Sequence, residues 1–174
     1  MIQVRRAQLG DAVGIASVHV AAWHSAYAGI LPDDFLARLS MPRHAAQYDH
    51  SIRAGQAVFV AADGDTVVGF STVGERRPGG LGDGEIETLY VLDDWRDLGV
   101  GRRLLRAGGL WLAQAGCRSA YLWVLRENPS RWFYQRLGGR PAAESSTTVA
   151  GVLIPQTAYV WSPIDRLLSA PAQS

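Results

Sequence analysis

The sequence predicts one domain of mixed α and β structure, and three observations predict it. The chain has 174 residues, of which 48% are apolar. That suits a single domain, and a chain of this size buries roughly 70% of its unfolded surface without a disulfide or metal staple. Runs of alternating or β-rich residues are interleaved with helical stripes that end at Gly or Pro. No internal repeat or linker interrupts them.

Ile2 to Arg6 alternates and reads as a strand. Asp11 is an N-cap for a helix with an apolar stripe Ala16, Val20, Trp23, Tyr27, stopped by Ala28-Gly29 and Pro32. Asp33 starts a short helical turn, and Ser40 caps another helix with Pro42 in its first turn and Gly55 at its end. Ala57 to Ala62 and Thr66 to Val73 are β-rich and joined at Asp63-Gly64, a tight-hairpin signal. A loop rich in Gly, Arg and Pro covers Gly74 to Gly84, and Glu85 to Leu92 alternates as a strand with Glu85, Glu87, Leu89 and Val91 on one face. Gly99 to Ala115 reads as a helix closed by Gly116, although Gly108-Gly109 inside it costs about 2 kcal/mol against two alanines. Ser119 to Leu125 is a strand, and Asn128-Pro129 opens a helix ending at Leu137 before Gly138-Gly139. Two last strands, about Glu144 to Ala150 and Thr157 to Trp161, flank Gly151. The domain is expected over residues 1–163, with 164–174 an Ala/Ser/Pro-rich tail that frays.

Composition excludes several functions. There are 17 Lys+Arg against 16 Asp+Glu, so bulk charge favours neither nucleic acid nor a membrane surface. Every basic residue is Arg, and the absence of Lys rules out Schiff bases, pyridoxal phosphate anchoring and a Walker A phosphate loop. The lone cysteine, Cys117, precludes an intrachain disulfide, a CxxC pair and a Cys-rich zinc site. It also has no nearby base that would make it a nucleophile. His24, His44 and His50 have no metal-like spacing with carboxylates, so no metal site is expected. No signal-peptide core and no stretch near ~20 apolar residues is visible. The expectation is a soluble, cytoplasmic protein.

The chemistry lies in Glu85 to Val91, Leu92 to Trp95, and Arg96-Asp97-Leu98-Gly99-Val100-Gly101. A strand leads through a short loop into a helix N-terminus with two glycines, where backbone amides and the helix dipole favour an anion. Arg102, Arg103 and Arg106 oppose that dipole, which a polyanionic ligand would explain better than helix stability does. The dinucleotide fingerprint fits only in part, because Leu104 stands where its third glycine would be.

Arg96 to Gly101 matches the Q/R-x-x-G-x-G/A signature of the GCN5-related N-acetyltransferase (GNAT) superfamily. Asn128, Phe133-Tyr134 and Leu137-Gly138 look like its N…FYxxLG segment, although Arg131 stands where an alanine is common. The opening strand, His19 to Tyr27, and Gly29-Ile30-Leu31-Pro32 resemble one common bacterial branch. The resemblance spans about Ile2 to Trp161. It implies a mixed, mostly antiparallel seven-strand sheet flanked by about four helices.

The resemblance also implies an acetyl-coenzyme A site. The pyrophosphate would lie on amides from Arg96 to Arg102, through Asp97, Leu98, Gly99, Val100 and Gly101. The pantetheine arm would run beside Leu89, Tyr90 and Val91, with the Val91 amide polarising the thioester carbonyl. Asn128 matches an asparagine that contacts coenzyme A. Glu85 matches the family's strand glutamate, the general base, with Glu87 on the same face left open as the alternative. Tyr134 matches the tyrosine that protonates the departing thiolate, and it stands apart from the stripe marked by Phe133 and Leu137. His19, Trp23 and Tyr27 read as packing, on a helix that borders the acceptor cleft in the family. The implied reaction is direct acetyl transfer to an amine in a ternary complex.

The acceptor is open between a small molecule and a protein amine, and an Arg-rich loop at Glu75 to Gly80 mildly favours an acidic one. The alternative reading is a non-catalytic acyl-coenzyme A binding or sensing module, which needs neither Glu85 nor Tyr134. Dimers are common in the family, and the C-terminal strands could pair.

Overall fold

The computed structural model describes residues 1–76 and 80–169. Seven strands form one sheet in the order β1-β2-β3-β4-β5-β7-β6: β1 (Ile2–Arg6), β2 (Ala57–Asp63), β3 (Thr66–Glu75), β4 (Gly84–Val91), β5 (Ala120–Leu125), β6 (Arg140–Val149) and β7 (Val152–Trp161). β4 and β5 run parallel, whereas β1–β2, β2–β3, β5–β7 and β6–β7 are antiparallel. This is the sheet the resemblance implied. The helices are α1 (Ala12–Tyr27), α2 (Asp33–Ala37), α3 (Met41–Arg53), α4 (Val100–Gln114), α5 (Ser130–Arg136) and α6 (Asp165–Leu168). There are six among the described residues rather than about four, because α2 and α6 are single turns. Backbone proximity groups the chain into two compact units, Met1–Val73 with Thr88–Gly108, and Gly74–Glu87 with the chain from Gly109 onward.

In the first unit β2 is buried from Ala57 to Ala62, as a continuous apolar run packed on both faces should be. Its hairpin with β3 turns at Gly64 and Asp65, one residue later than expected, since Asp63 still pairs with Thr66. Ile15, Val18, Val58, Val60, Tyr48 and Phe70 make the core, each aliphatic contributing roughly 1.5–3 kcal/mol by burial. The buried stripe of α1 is Ala12, Ile15, Ala16, Val18 and Ala22. Val20, Trp23 and Tyr27 are only half-buried. Asp11 does not cap α1 with its side chain. Its carboxylate instead accepts from the Arg5 guanidinium (2.7 and 3.0 Å) and from Gln8 N (2.7 Å). Ser40 caps α3 as expected, accepting from Arg43 N.

In the second unit β6 and β7 are longer than expected, starting at Arg140 and Val152. Ala150 (φ 50°) and Gly151 (φ 77°) form the two-residue turn, the left-handed pair a tight hairpin requires. Trp161 is fully buried, and its Nε1 donates to Leu137 O at 3.0 Å. The carboxylate of Asp83 accepts from Arg118 N, Ser119 N and Ser119 Oγ at 2.8–3.2 Å. Against the cost of burial, these bonds hold it below the usual carboxylate range. Ile164 and Leu167 are buried, and α6 falls within the residues expected to form the tail. Residues 170–174 lie outside the described residues, as do 77–79 of the Arg-rich loop.

Candidate active site

The expected anion-binding segment is one continuous stretch of the first unit. β4 ends at Val91, a short turn covers Asp93–Trp95, and α4 starts at Val100. Leu92 N donates to Val68 O at 2.9 Å, toward β3. Strand alternation therefore aims the Val91 N–H away from β3. Asp97 (φ 60°) and Gly99 (φ 77°) are both left-handed. For Asp97 that costs about 1–2 kcal/mol, a strain that tends to persist at functional turns. Space at Gly99 is open, with nothing within 4 Å of where a Cβ would stand. Arg103 N donates to Gly99 O at 3.1 Å, the bond that opens α4, so the amides of Val100 and Gly101 precede it.

The side chains of this stretch divide. Val100 is buried and anchors the helix, while Leu98 is exposed. Arg96 pairs with Asp93 at 3.0 Å, and Asp93 accepts from Ser25 Oγ of α1 at 2.9 Å. Arg102 is half-buried. Of the arginines read as a polyanion patch, Arg103 reaches back to Ile2 O at 3.0 Å and serves the fold. Arg106 is exposed.

Tyr90 points into a cluster of rings. Along α1, His19 stacks on Trp23 with centroids 5.5 Å apart, and Tyr27 lies tilted against Trp23 at 4.6 Å. His44 stacks on His19 at 4.1 Å, and Trp23 Nε1 donates to the Tyr90 hydroxyl at 3.2 Å. His19 Nδ1 and the Tyr48 hydroxyl are 2.7 Å apart. Burial, with His44 adding to it, lowers His19 to about 4, so its ring is neutral near pH 7. His19, Trp23 and Tyr27 are each half-buried, with rings in contact along α1.

In the second unit Glu85 and Glu87 share a face and a partner. Arg76 Nε donates to Glu85 Oε2 at 2.7 Å, and its other end meets Glu87 Oε2 at 3.2 Å. The Tyr121 hydroxyl also donates to Glu85 Oε2, at 3.2 Å. Burial and then the Glu85 charge push Tyr121 up, which keeps its hydroxyl a donor. Glu85 is 20% exposed and Glu87 42%, so Glu85 is the better shielded. Arg76 and Tyr121 escaped the sequence reading. Their only signals were an arginine inside the Arg-rich loop at Glu75 to Gly80 and a tyrosine in the strand Ser119 to Leu125, whose register against Glu85 shows only in the fold.

Asn128 stands two residues before α5, and Tyr134 lies within it. Asn128 Oδ1 accepts from Ser130 N at 2.9 Å, the capping role its Pro neighbour suggested. Tyr134 is 6% exposed and edge-on to Trp161. It therefore belongs to the buried face with Leu137, and Phe133 is the half-buried one. This reverses the expected stripe, because β7 supplies the rings that define it. Cys117 is buried, and burial, then the Asp83 and Glu75 charges, push its thiol up. That leaves it a poor nucleophile. Among the described residues no group of three or more His, Cys, Asp or Glu could hold a metal, and no helix is long and apolar enough to cross a membrane.

Residues 17–139 match the model of the acetyltransferase (GNAT) family. The chain belongs to this family. One relative, the uncharacterized N-acetyltransferase YuaI of Bacillus subtilis, is 36% identical over 96% of both chains. Another, an aminoglycoside N(6')-acetyltransferase type 1 of Stenotrophomonas maltophilia, is 35% identical over 66% of this chain and 70% of its own. The fold resembles that of yncA of Salmonella typhimurium, described as a putative acetyltransferase solved with its cofactor acetyl-CoA. Its TM-score is 0.67 at 18% identity, covering 99% of this chain and 96% of that one. As a GNAT acyltransferase, the protein is an enzyme whose class agrees with the sequence resemblance.

Proposed function

We propose that this chain transfers an acetyl group from acetyl-coenzyme A to a primary amine, directly and in a ternary complex. The observation that carries the reading is the end of β4. Because Leu92 N donates to Val68 O, strand alternation aims the Val91 N–H away from β3, and the chain then turns through left-handed Asp97 and Gly99 into the first amides of α4. Those amides, around Gly99, Val100 and Gly101, suit a pyrophosphate. The Val91 N–H suits the thioester oxygen as negative charge develops on it. The ligand named for the Salmonella structure supports the same donor. The remaining residues of the segment, Leu89 to Arg102, form the rest of the cradle. Asn128, with Oδ1 engaged in its cap, would meet coenzyme A through Nδ2.

The chemistry needs a base and an acid. A primary amine with the pKa of free Lys, ~10.4, is protonated at pH 7, and removing that proton costs roughly 4 to 5 kcal/mol. Glu85 takes it, directly or through water. The amine lone pair then bonds to the acetyl carbon and the C–S bond breaks. The departing thiolate takes a proton from the Tyr134 hydroxyl, which regains one from the new amide nitrogen as it loses its second proton. The name of the Stenotrophomonas relative supports a small-molecule amine as acceptor. The edge strand β6, largely exposed, would be the surface for a homodimer, and the setting would be the cytoplasm.

The test is thiol release from acetyl-coenzyme A with a panel of amines, for wild type, Glu85→Gln and Tyr134→Phe. The reading expects turnover falling about 10²–10⁴-fold in each variant, with acetyl-coenzyme A still bound. Unchanged turnover would remove those roles. Tight donor binding with no turnover for any amine would favour the non-catalytic acyl-coenzyme A module instead.

A further inference from the structure

We propose that Arg76 is a positioning residue for the reaction, holding the carboxylate of Glu85 so that one oxygen alone faces the proton to be removed. The proposal rests on the reading of Glu85 as the base. A glutamate's last torsion is broad and nearly two-fold, so an unheld carboxylate presents either oxygen and loses orientation. Here both contacts to Glu85 among the described residues fall on Oε2, from Arg76 Nε at 2.7 Å and the Tyr121 hydroxyl at 3.2 Å. Oε1 is left to accept a proton.

Arg76 is itself held. Its backbone N donates to Asp83 O at 2.8 Å and its Nη1 to Glu75 O at 2.9 Å, while Nη2 meets Glu87 Oε2 at 3.2 Å. The planar guanidinium can satisfy all these directions at once, which a lysine ammonium cannot. Glu87 thereby gains a purpose different from Glu85's, as the second anchor of the fork. Gly74 leaves room for it. A Cβ there would stand 2.9 Å from Arg76 Nη1 and 3.1 Å from Glu87 Oε1. The charged and titratable groups facing Glu85 among the described residues are thus Arg76, Glu87 and Tyr121.

The test is a double-mutant cycle on turnover, with Arg76→Gln and Glu85→Gln singly and together, and Arg76→Lys alongside. Assays run near pH 9, where free amine is more abundant and the Glu85→Gln background retains a measurable rate. Arg76→Gln is expected to lower kcat tenfold or more with KM for acetyl-coenzyme A unchanged, since misplacement near 1 Å costs about 10²-fold. Arg76→Lys is expected to recover only part, and Arg76→Gln to cost nothing further once Glu85 is Gln. Loss of the same size in both backgrounds, or a silent Arg76→Gln beside a damaging Glu85→Gln, would overturn the proposal. A silent Glu85→Gln would instead overturn the reading of Glu85 as the base.

Discussion

Replacing Gly108 with alanine sets two physical effects of known size against each other. Gly108 lies in the middle of α4, where alanine is favoured over glycine by about 0.8–1.0 kcal/mol. The same Cβ would stand 2.7 Å from Val73 Cγ1, whereas non-bonded carbons rest near 3.5–4.0 Å. One side must therefore yield by almost 1 Å. Val73 is 3% exposed on β3, and its branched side chain has little rotamer freedom, so α4 and β3 must part. Such overpacking costs about 1–3 kcal/mol. The sum is a net loss near 1 kcal/mol, which for a chain of this size lowers Tm by about 2–4 °C. Thermal melts of Gly108→Ala check this, and the decisive control is Val73→Ala. In that background the clash is gone, and the same Gly108→Ala should stabilise by about 1 kcal/mol. A Tm that rises in the otherwise wild-type protein would refute the reasoning, since it would mean helix propensity outweighs packing here.

Two further predictions concern the core and the ring cluster. Gly139→Ala would bring a Cβ to 2.8 Å from Trp161 Cζ2 and 2.9 Å from Tyr134 O. With a backbone atom in the way, a loss of about 1–3 kcal/mol is expected in urea unfolding; an unchanged midpoint would show that this corner gives way. Below pH 6.5 the unfolded chain protonates His19, but the fold keeps it neutral down to about pH 4. Stability should fall over that interval by up to about 1.4 kcal/mol per pH unit, with no contribution above it. His19→Gln should flatten the fall, and an unaltered slope would assign it elsewhere.

What could be read from the sequence was local. Ser40, Gly55 and Gly116 mark helix ends because capping and left-handed turns need particular residues, and the motif around Gly99 and Gly101 shows itself by spacing. Asn128 was legible as a cap for the same reason. The face of α5 was not, because Trp161 and Tyr159 of β7, far along the chain, decide that Tyr134 rather than Phe133 is buried. The extent of β6 and β7 was not legible either, for these strands run through Pro141 and Pro155. Pro155 pairs with Ser146 of β6, and its carbonyl accepts from Arg126 N at 3.1 Å just past the end of β5, so its missing N–H falls beyond that strand's last paired residue. Gly108 and Gly109 looked like a cost to the helix. In the fold they admit Val73 and Leu167 at close range. Arg76 stayed invisible because only the folded loop brings it onto two carboxylates.

The account depends most on the donor site, and calorimetric binding of acetyl-coenzyme A to wild type and to Gly101→Trp tests it directly, with NAD as the competing nucleotide. The prediction is tight binding of acetyl-coenzyme A and coenzyme A by wild type, none by the variant at an unchanged Tm, and no signal from NAD. Binding that survives Gly101→Trp, or no binding by wild type, would mean that the turn from Arg96 into α4 is only a helix entrance.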